Sequence, residues 1–221
     1  MKQFAVLGLG KFGAKLATKL VHNGCEIIAV DRDPLVVEEY KDQVTKAIIG
    51  DAADKKTLEL IGLSDFDGVI ISLGGSFESS VLCCLYLHEL GIRKIFAKAT
   101  SAEHAKILKR IGAVEVWIPE RDMAELVADK MTWVGVINVL VESKDFVIVE
   151  IAPPKNAIGK TILQCRFREL YGTLVLLVKD LVQDKVYMPP DPTAIIKDSD
   201  LLVVMGRRES VEALNRVENN Q

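Results

Sequence analysis

Aromatic residues are scarce, 6% of 221, and there is no excess of positive charge: 28 Lys and Arg stand against 31 Asp and Glu. A basic field is what holds a protein on nucleic acid, so a net charge of −3 argues against nucleic acid as a partner. The three histidines and four cysteines (Cys25, Cys83, Cys84 and Cys165) show no C-x-x-C or His/Cys spacing that would hold zinc. Adjacent Cys83 and Cys84 fall in an apolar stretch, where cysteine serves as a small hydrophobe. No apolar run approaches the ~18 residues needed to span a bilayer. Strand-like Gln3-Phe4-Ala5-Val6-Leu7 starts almost at Met1, so no leader peptide is expected and a cytosolic protein is.

What the chain does have is aliphatic bulk. Apolar residues make up 49%, the balance that suits parallel strands buried on both faces. Its length fits one domain of roughly 130–150 residues with a smaller second one. Strand patterns at 3–7, 26–31, 46–50, 68–72, 94–99 and 115–118 alternate with helical ones at 15–22, 35–40, 55–61, 78–90 and 102–111. Gly24, Gly62, Gly91 and Gly112 follow the helical stretches, where a left-handed residue ends a helix. This alternation predicts an α/β domain over 1–118, a Rossmann-like doubly wound parallel sheet of six strands. Pro119 opens a helical pattern that runs to about Val141 with a break at Trp133 and Gly135. Residues 119–143 therefore read as connector helices, or as an arm that packs between subunits. From Phe146 the texture changes to short strands and proline-rich loops, and 144–221 reads as a small α+β domain that would gain from dimerising.

The chemistry concentrates in Gly8-Leu9-Gly10-Lys11-Phe12-Gly13, which follows a strand and opens a helix. Gly8 permits the tight turn, Gly10 lets backbone approach a phosphate, and Gly13 lets the helix pack on the strand. The helix N-terminus offers N–H groups to an anion. Asp31 closes the second strand, where an acid accepts hydrogen bonds from a ribose diol. Lys11 would meet a phosphate or remain a solvated lysine. Asp33 and Asp51 would read adenine or ribose, or serve their own turns. Gly50-Asp51-Ala52 ends the third strand and Ser72-Leu73-Gly74-Gly75 the fourth, both on the ligand side, and Lys98 and His104 flank the turn after the fifth. No nucleophile or paired acid accompanies His104, so it is a structural or ligand-contacting side chain rather than a catalyst. Glu120 alone in a first helical turn is a dipole partner.

A dehydrogenase needs an acid/base residue and an anion clamp, and neither is legible after the sixth strand. The nucleotide is expected to be sensed rather than consumed, and the protein not to be an enzyme. The alternative is an NAD-dependent oxidoreductase, with Asp31 favouring NAD over NADP. A nucleotide-sensing transcription regulator would need a helix-turn-helix or basic patch.

Beyond the fingerprint, Val30-Asp31, Ile49-Gly50-Asp51-Ala52, Phe96-Ala97-Lys98-Ala99, Lys109-Arg110-Ile111-Gly112-Ala113 and Pro119-Glu120-Arg121-Asp122-Met123-Ala124 follow in order. Together they resemble the RCK (KTN) regulatory subunits of bacterial Ktr and Trk potassium uptake systems, nearest the KtrA/KtrC type, over essentially the whole chain. The resemblance implies a cytoplasmic homodimer that assembles into an octameric ring. That ring would sit at the inner face of the cell membrane on a potassium channel subunit of KtrB/TrkH type. It implies ATP and ADP as competing ligands, with NAD or NADH in related members. The implied nucleotide-binding set is Gly8, Gly10, Lys11, Phe12, Gly13, Asp31, Arg32, Asp33, Asp51, Ala52, Ser72, Leu73, Gly74, Lys98, Thr100 and His104. It also implies Mg or Ca at Glu120, and cyclic di-AMP at Ile162, Leu163, Arg168 and Pro190, against plain core packing for Ile162 and Leu163. The family commonly carries arginine where this chain has Lys11, which keeps the charge and loses the bidentate fork.

Overall fold

A computed structural model describes residues 1–133 and 135–216 of the chain. Strands β1 (Gln3–Leu7), β2 (Glu26–Asp31), β3 (Lys46–Ile49), β4 (Gly68–Ile71), β5 (Ile95–Lys98) and β6 (Ala113–Trp117) form one parallel sheet in the order β3-β2-β1-β4-β5-β6. The period-two alternation of β1 sends Ala5 and Leu7 to one face and Val6 to the other. On the first face they meet Cys83, Cys84 and Leu87 of helix α4 (Phe77–Glu89) and Leu108 of α5 (Ala102–Arg110), all fully buried. On the second, Ala14 and Ala17 of α1 (Lys11–His22) lie against Val6, Ile27 and Ile70. Each fully buried Leu or Ile contributes about 1.5–3 kcal/mol, so this two-sided burial is the main source of stability. Sheet order reverses between β1 and β4, and the carboxyl ends of those strands are where such a fold opens a crevice.

Helices α2 (Pro34–Tyr40), α3 (Lys55–Ile61), α4 and α5 start with a side chain closing the first turn: Asp33, Asp54, Ser76 and Ser101 accept N–H groups of their own helices. Helix α1 differs. It begins at Lys11, a turn earlier than its apolar pattern suggests, and Gly10 at its N-cap provides no side-chain cap.

The chain divides into two compact units, Met1–Asp122 and Met123–Gln221, with the division inside α6 (Pro119–Thr132). The second unit is an antiparallel sheet in the order β10-β9-β11-β8-β7, from β7 (Val136–Glu142), β8 (Val147–Ile151), β9 (Leu174–Asp180), β10 (Lys185–Tyr187) and β11 (Asp200–Gly206). Its core joins Val149, Ile151, Leu202 and Val204 to Phe167, Val211 and Leu214 of α8 (Phe167–Tyr171) and α9 (Arg208–Arg216). The helical reading of 136–141 is corrected here. Gly135 takes φ +75°, and the β-branched run after it pairs with β8 instead. Residues 162–171 form two short helices, α7 (Ile162–Cys165) and α8, separated by Arg166 at φ +47°. Residues 217–221, the end of the expected 144–221 domain, lie outside the described residues.

Candidate functional site

A cleft of about 520 Å³ opens at the carboxyl ends of β1 to β4. The glycine turn forms its floor, and each glycine there answers a different constraint. Gly8 takes φ +97°, and a Cβ on it would stand 2.7 Å from the Ser72 carbonyl oxygen. Gly13 faces the sheet: a Cβ would lie 2.0 Å from the Gly8 carbonyl oxygen, so α1 could not come this close with any side chain there. Gly10 has neither restriction. Its backbone is extended (φ −61°, ψ 177°), and a Cβ would meet nothing within 4 Å. The protein's own packing therefore gives no reason for glycine at this position; an occupant approaching the backbone would. The uncapped first turn of α1 begins at the same residue, where the positive end of the helix dipole lies.

Asp31 ties two turns together. Its Oδ2 accepts the Leu9 N–H at 2.6 Å and its Oδ1 accepts the Asp33 N–H at 2.9 Å. Each oxygen keeps a second lone pair for a hydroxyl donor. Asp33 Oδ1 accepts the Leu35 N–H and Asp51 Oδ1 the Ala53 N–H, so both acids also close their own turns.

At the rim, Lys98 Nζ donates to Glu120 Oε1 at 2.6 Å and lies 5.8 Å from the centre of the Phe12 ring. The Lys98 ammonium, bonded to Glu120, holds that carboxyl below its usual range. A carboxylate already engaged by an ammonium does not by itself fit a divalent cation. Among the described residues no group of three or more His, Cys, Asp or Glu side chains is placed to hold one.

Of the expected nucleotide-binding residues, Gly8, Gly10, Lys11, Phe12, Asp31, Arg32, Asp33, Asp51, Ala52, Ser72, Leu73, Gly74 and Lys98 line the cleft, and so does Glu120. Gly13, Thr100 and His104 do not. Gly13 is spent on packing. His104 is 1% exposed, with Nε2 2.7 Å from Ser80 Oγ and Nδ1 3.3 Å from the Thr100 N–H that donates to it. With Nδ1 an acceptor, the proton sits on Nε2 and is donated to Ser80, whose hydroxyl donates to the Phe77 carbonyl. Burial lowers the His104 pKa, which keeps the ring neutral. Sequence reasoning missed Leu9, Val30, Val36, Ser76 and Ser79 in the lining. The two serines had a legible signal: Ser76 precedes an apolar helical run and caps it through the Ser79 N–H.

In the second unit, Ile162 leans on the core, as the packing reading asks, while Leu163 is 67% exposed and does not fit that reading. Arg168 is exposed and Pro190 half-buried.

Residues 4–119 match the family model of the TrkA-N domain, and residues 146–218 match that of the TrkA-C domain. The Ktr system potassium uptake protein C of Bacillus subtilis is 36% identical over 98% of this chain and 96% of its own length. The chain belongs to the TrkA-N/TrkA-C family. Within this TrkA-N/TrkA-C protein the cleft lies wholly in the TrkA-N portion, save for Glu120 one residue beyond it. A solved structure of the GsuK RCK domain superposes with a TM-score of 0.70 at 19% identity, covering 99% of this chain and 48% of that one. The GsuK channel bound to NAD gives 0.68 at 19% identity, covering 99% and 40%. The chain thus spans about half of the GsuK chain or less, and at this identity the likeness speaks for the fold.

Proposed function

We propose that this TrkA-N/TrkA-C protein is the regulatory subunit of a potassium uptake system and senses an adenine nucleotide in the cleft around Gly10. ATP and ADP are the competing ligands, and NAD or NADH fits the same crevice. The observation that carries this reading is Gly10, a glycine that neither backbone strain nor packing demands, at the uncapped start of α1. The β- and γ-phosphates would lie against that turn, with the ribose diol at Asp31. The potassium-uptake names of the full-length relatives support the setting.

The cleft is built for binding rather than for chemistry. All four carboxylates that line it are engaged as acceptors, Asp31, Asp33 and Asp51 in turns and Glu120 in the ion pair. The histidine nearest by sequence, His104, is buried in the core. A sensor works by binding two conformations with different free energies, so ATP and ADP must differ in their preference. The conformations belong to a cytoplasmic octameric ring of homodimers on a membrane potassium channel subunit. Helix α6 supports the dimer: Met123, Leu126, Val127 and Met131 form an exposed apolar stripe on one face. No helix among the described residues is long and apolar enough to cross a membrane; the membrane partner is proposed from the potassium-uptake names of the relatives. Cyclic di-AMP is proposed at the second unit, through Leu163 and Arg168 with Ile162 and Pro190 beside them. Mg or Ca at Glu120 would need ligands from the nucleotide or a second copy.

Competition calorimetry with ATP, ADP and NADH on the purified protein tests the reading. Saturable binding of ATP and ADP at one site supports it; failure of all three to bind, or hydride transfer from NADH to a small substrate, overturns it.

A further inference from the structure

The two partners of the rim ion pair are not equivalent. The Lys98 side chain is 14% exposed, whereas that of Glu120 is 69% exposed. Lys98 is also confined by its surroundings. Its stem runs past Gly74, where a Cβ would touch Cε at 3.5 Å, and its ammonium faces Phe12 on the glycine turn. The cation is thus fixed at the cleft wall, and the anion is the member that water can readily take back. A terminal phosphate carries close to two negative charges and three acceptor oxygens, against one charge on a carboxylate. Where a phosphate reaches the ammonium, it wins.

We propose that Lys98 reads the phosphate chain of the bound nucleotide and that Glu120 is its built-in competitor, holding the ammonium until a phosphate displaces it. This rests on the nucleotide reading above. Glu120 then serves as a stand-in anion that sets a threshold: adenosine leaves the pair intact, and a di- or triphosphate breaks it. The exchange also has an output. Glu120 is the second residue of α6, the helix that runs out of the first unit, so its release is a change made at the start of that helix. Linkage runs both ways: whatever weakens the hold of Glu120 on Lys98 must tighten phosphate binding.

Calorimetry on the full chain, in chelator so that no divalent cation bridges the anions, tests this with adenosine, ADP and ATP. Glu120→Gln, although it alters a residue lining the site, should tighten ADP and ATP by about two- to five-fold, the usual worth of a rim ion pair. It should leave adenosine unchanged. Lys98→Met should weaken ADP and ATP by about ten-fold or more. The gain from Glu120→Gln should vanish in the Lys98→Met background, which separates competition for the lysine from plain repulsion between two anions. Lys98→Gln replaces Lys98→Met if thermal unfolding shows the latter misfolded. A gain that persists without Lys98, or no gain at all, overturns the inference and leaves nucleotide sensing standing. Wild-type protein that binds neither ADP nor ATP overturns both.

Discussion

Asp31 Oδ2 accepts the backbone N–H of Leu9 at 2.6 Å, so the residue that would meet the ribose also fixes the turn that would meet the phosphates. One substitution should therefore lower both stability and binding. Saturating ADP or ATP should raise the wild-type melting temperature, on the order of 5–10 °C at a hundred-fold excess over Kd. Asp31→Ala leaves the Leu9 and Asp33 N–H groups without their acceptor and should cost about 1–3 kcal/mol without ligand. The nucleotide-induced shift should largely disappear. A full shift in Asp31→Ala, read by scanning fluorimetry, would remove Asp31 from the site.

Gly10 and Gly13 should separate function from fold. Alanine at Gly13 places its Cβ 2.0 Å from the Gly8 carbonyl, so α1 must move off the sheet. Overpacking of this kind costs about 1–3 kcal/mol or more, visible as a lower urea midpoint. Alanine at Gly10 meets no protein atom within 4 Å and should cost less than about 1 kcal/mol, the price of a poorer N-cap. Yet Gly10→Ala should weaken ADP binding about ten-fold or more, because the methyl occupies the ground where a phosphate would approach. Equal loss of stability in both variants, with binding intact in Gly10→Ala, would contradict the cradle.

The first unit was legible because its signals are local. β1 and β2 run 3–7 and 26–31, as their aliphatic runs suggest, and the glycine turn announces the cleft. What the sequence withheld depends on which other segment each residue meets. Val136 to Val141 carries apolar residues that suit a helix or a strand, and pairing with β8 decides for the strand. His104 lies just past a strand end on the ligand side, yet Ser80, 24 residues before it, draws it into the core. The Lys98–Glu120 pair joins residues 22 apart that sequence reading assigned to separate roles.

Leu163 and Arg168 make a separate prediction for the second unit. Leu163 is 67% exposed, so Leu163→Ala should change stability little, while its loss should matter to a ligand that covers it. Arg168→Ala should weaken cyclic di-AMP binding about ten-fold, the worth of a charge-assisted hydrogen bond to phosphate. ADP binding in the first unit should be unchanged by either. Titration calorimetry with cyclic di-AMP decides: wild-type protein that does not bind it ends this assignment.

Buried His104 should give the protein an acid sensitivity. Its pKa in the fold lies below the ordinary 6.5 because burial penalises the imidazolium. Between that lowered value and 6.5 the unfolded chain binds a proton that the folded one does not. Stability is then complete above about pH 6.5 and falls as pH drops below it. Protonation would also remove the Nδ1 lone pair that takes the Thr100 N–H. His104→Asn keeps an acceptor near Nδ1, loses the bond to Ser80 and cannot charge. It should be less stable at pH 7.5, by about 1–3 kcal/mol, and should lose less of its remaining stability on going to pH 5.5. His22 and His88 are present in both proteins and cancel in the difference. Urea unfolding of the two proteins at pH 5.5, 6.5 and 7.5 measures it, and parallel pH profiles would show that His104 does not titrate with folding.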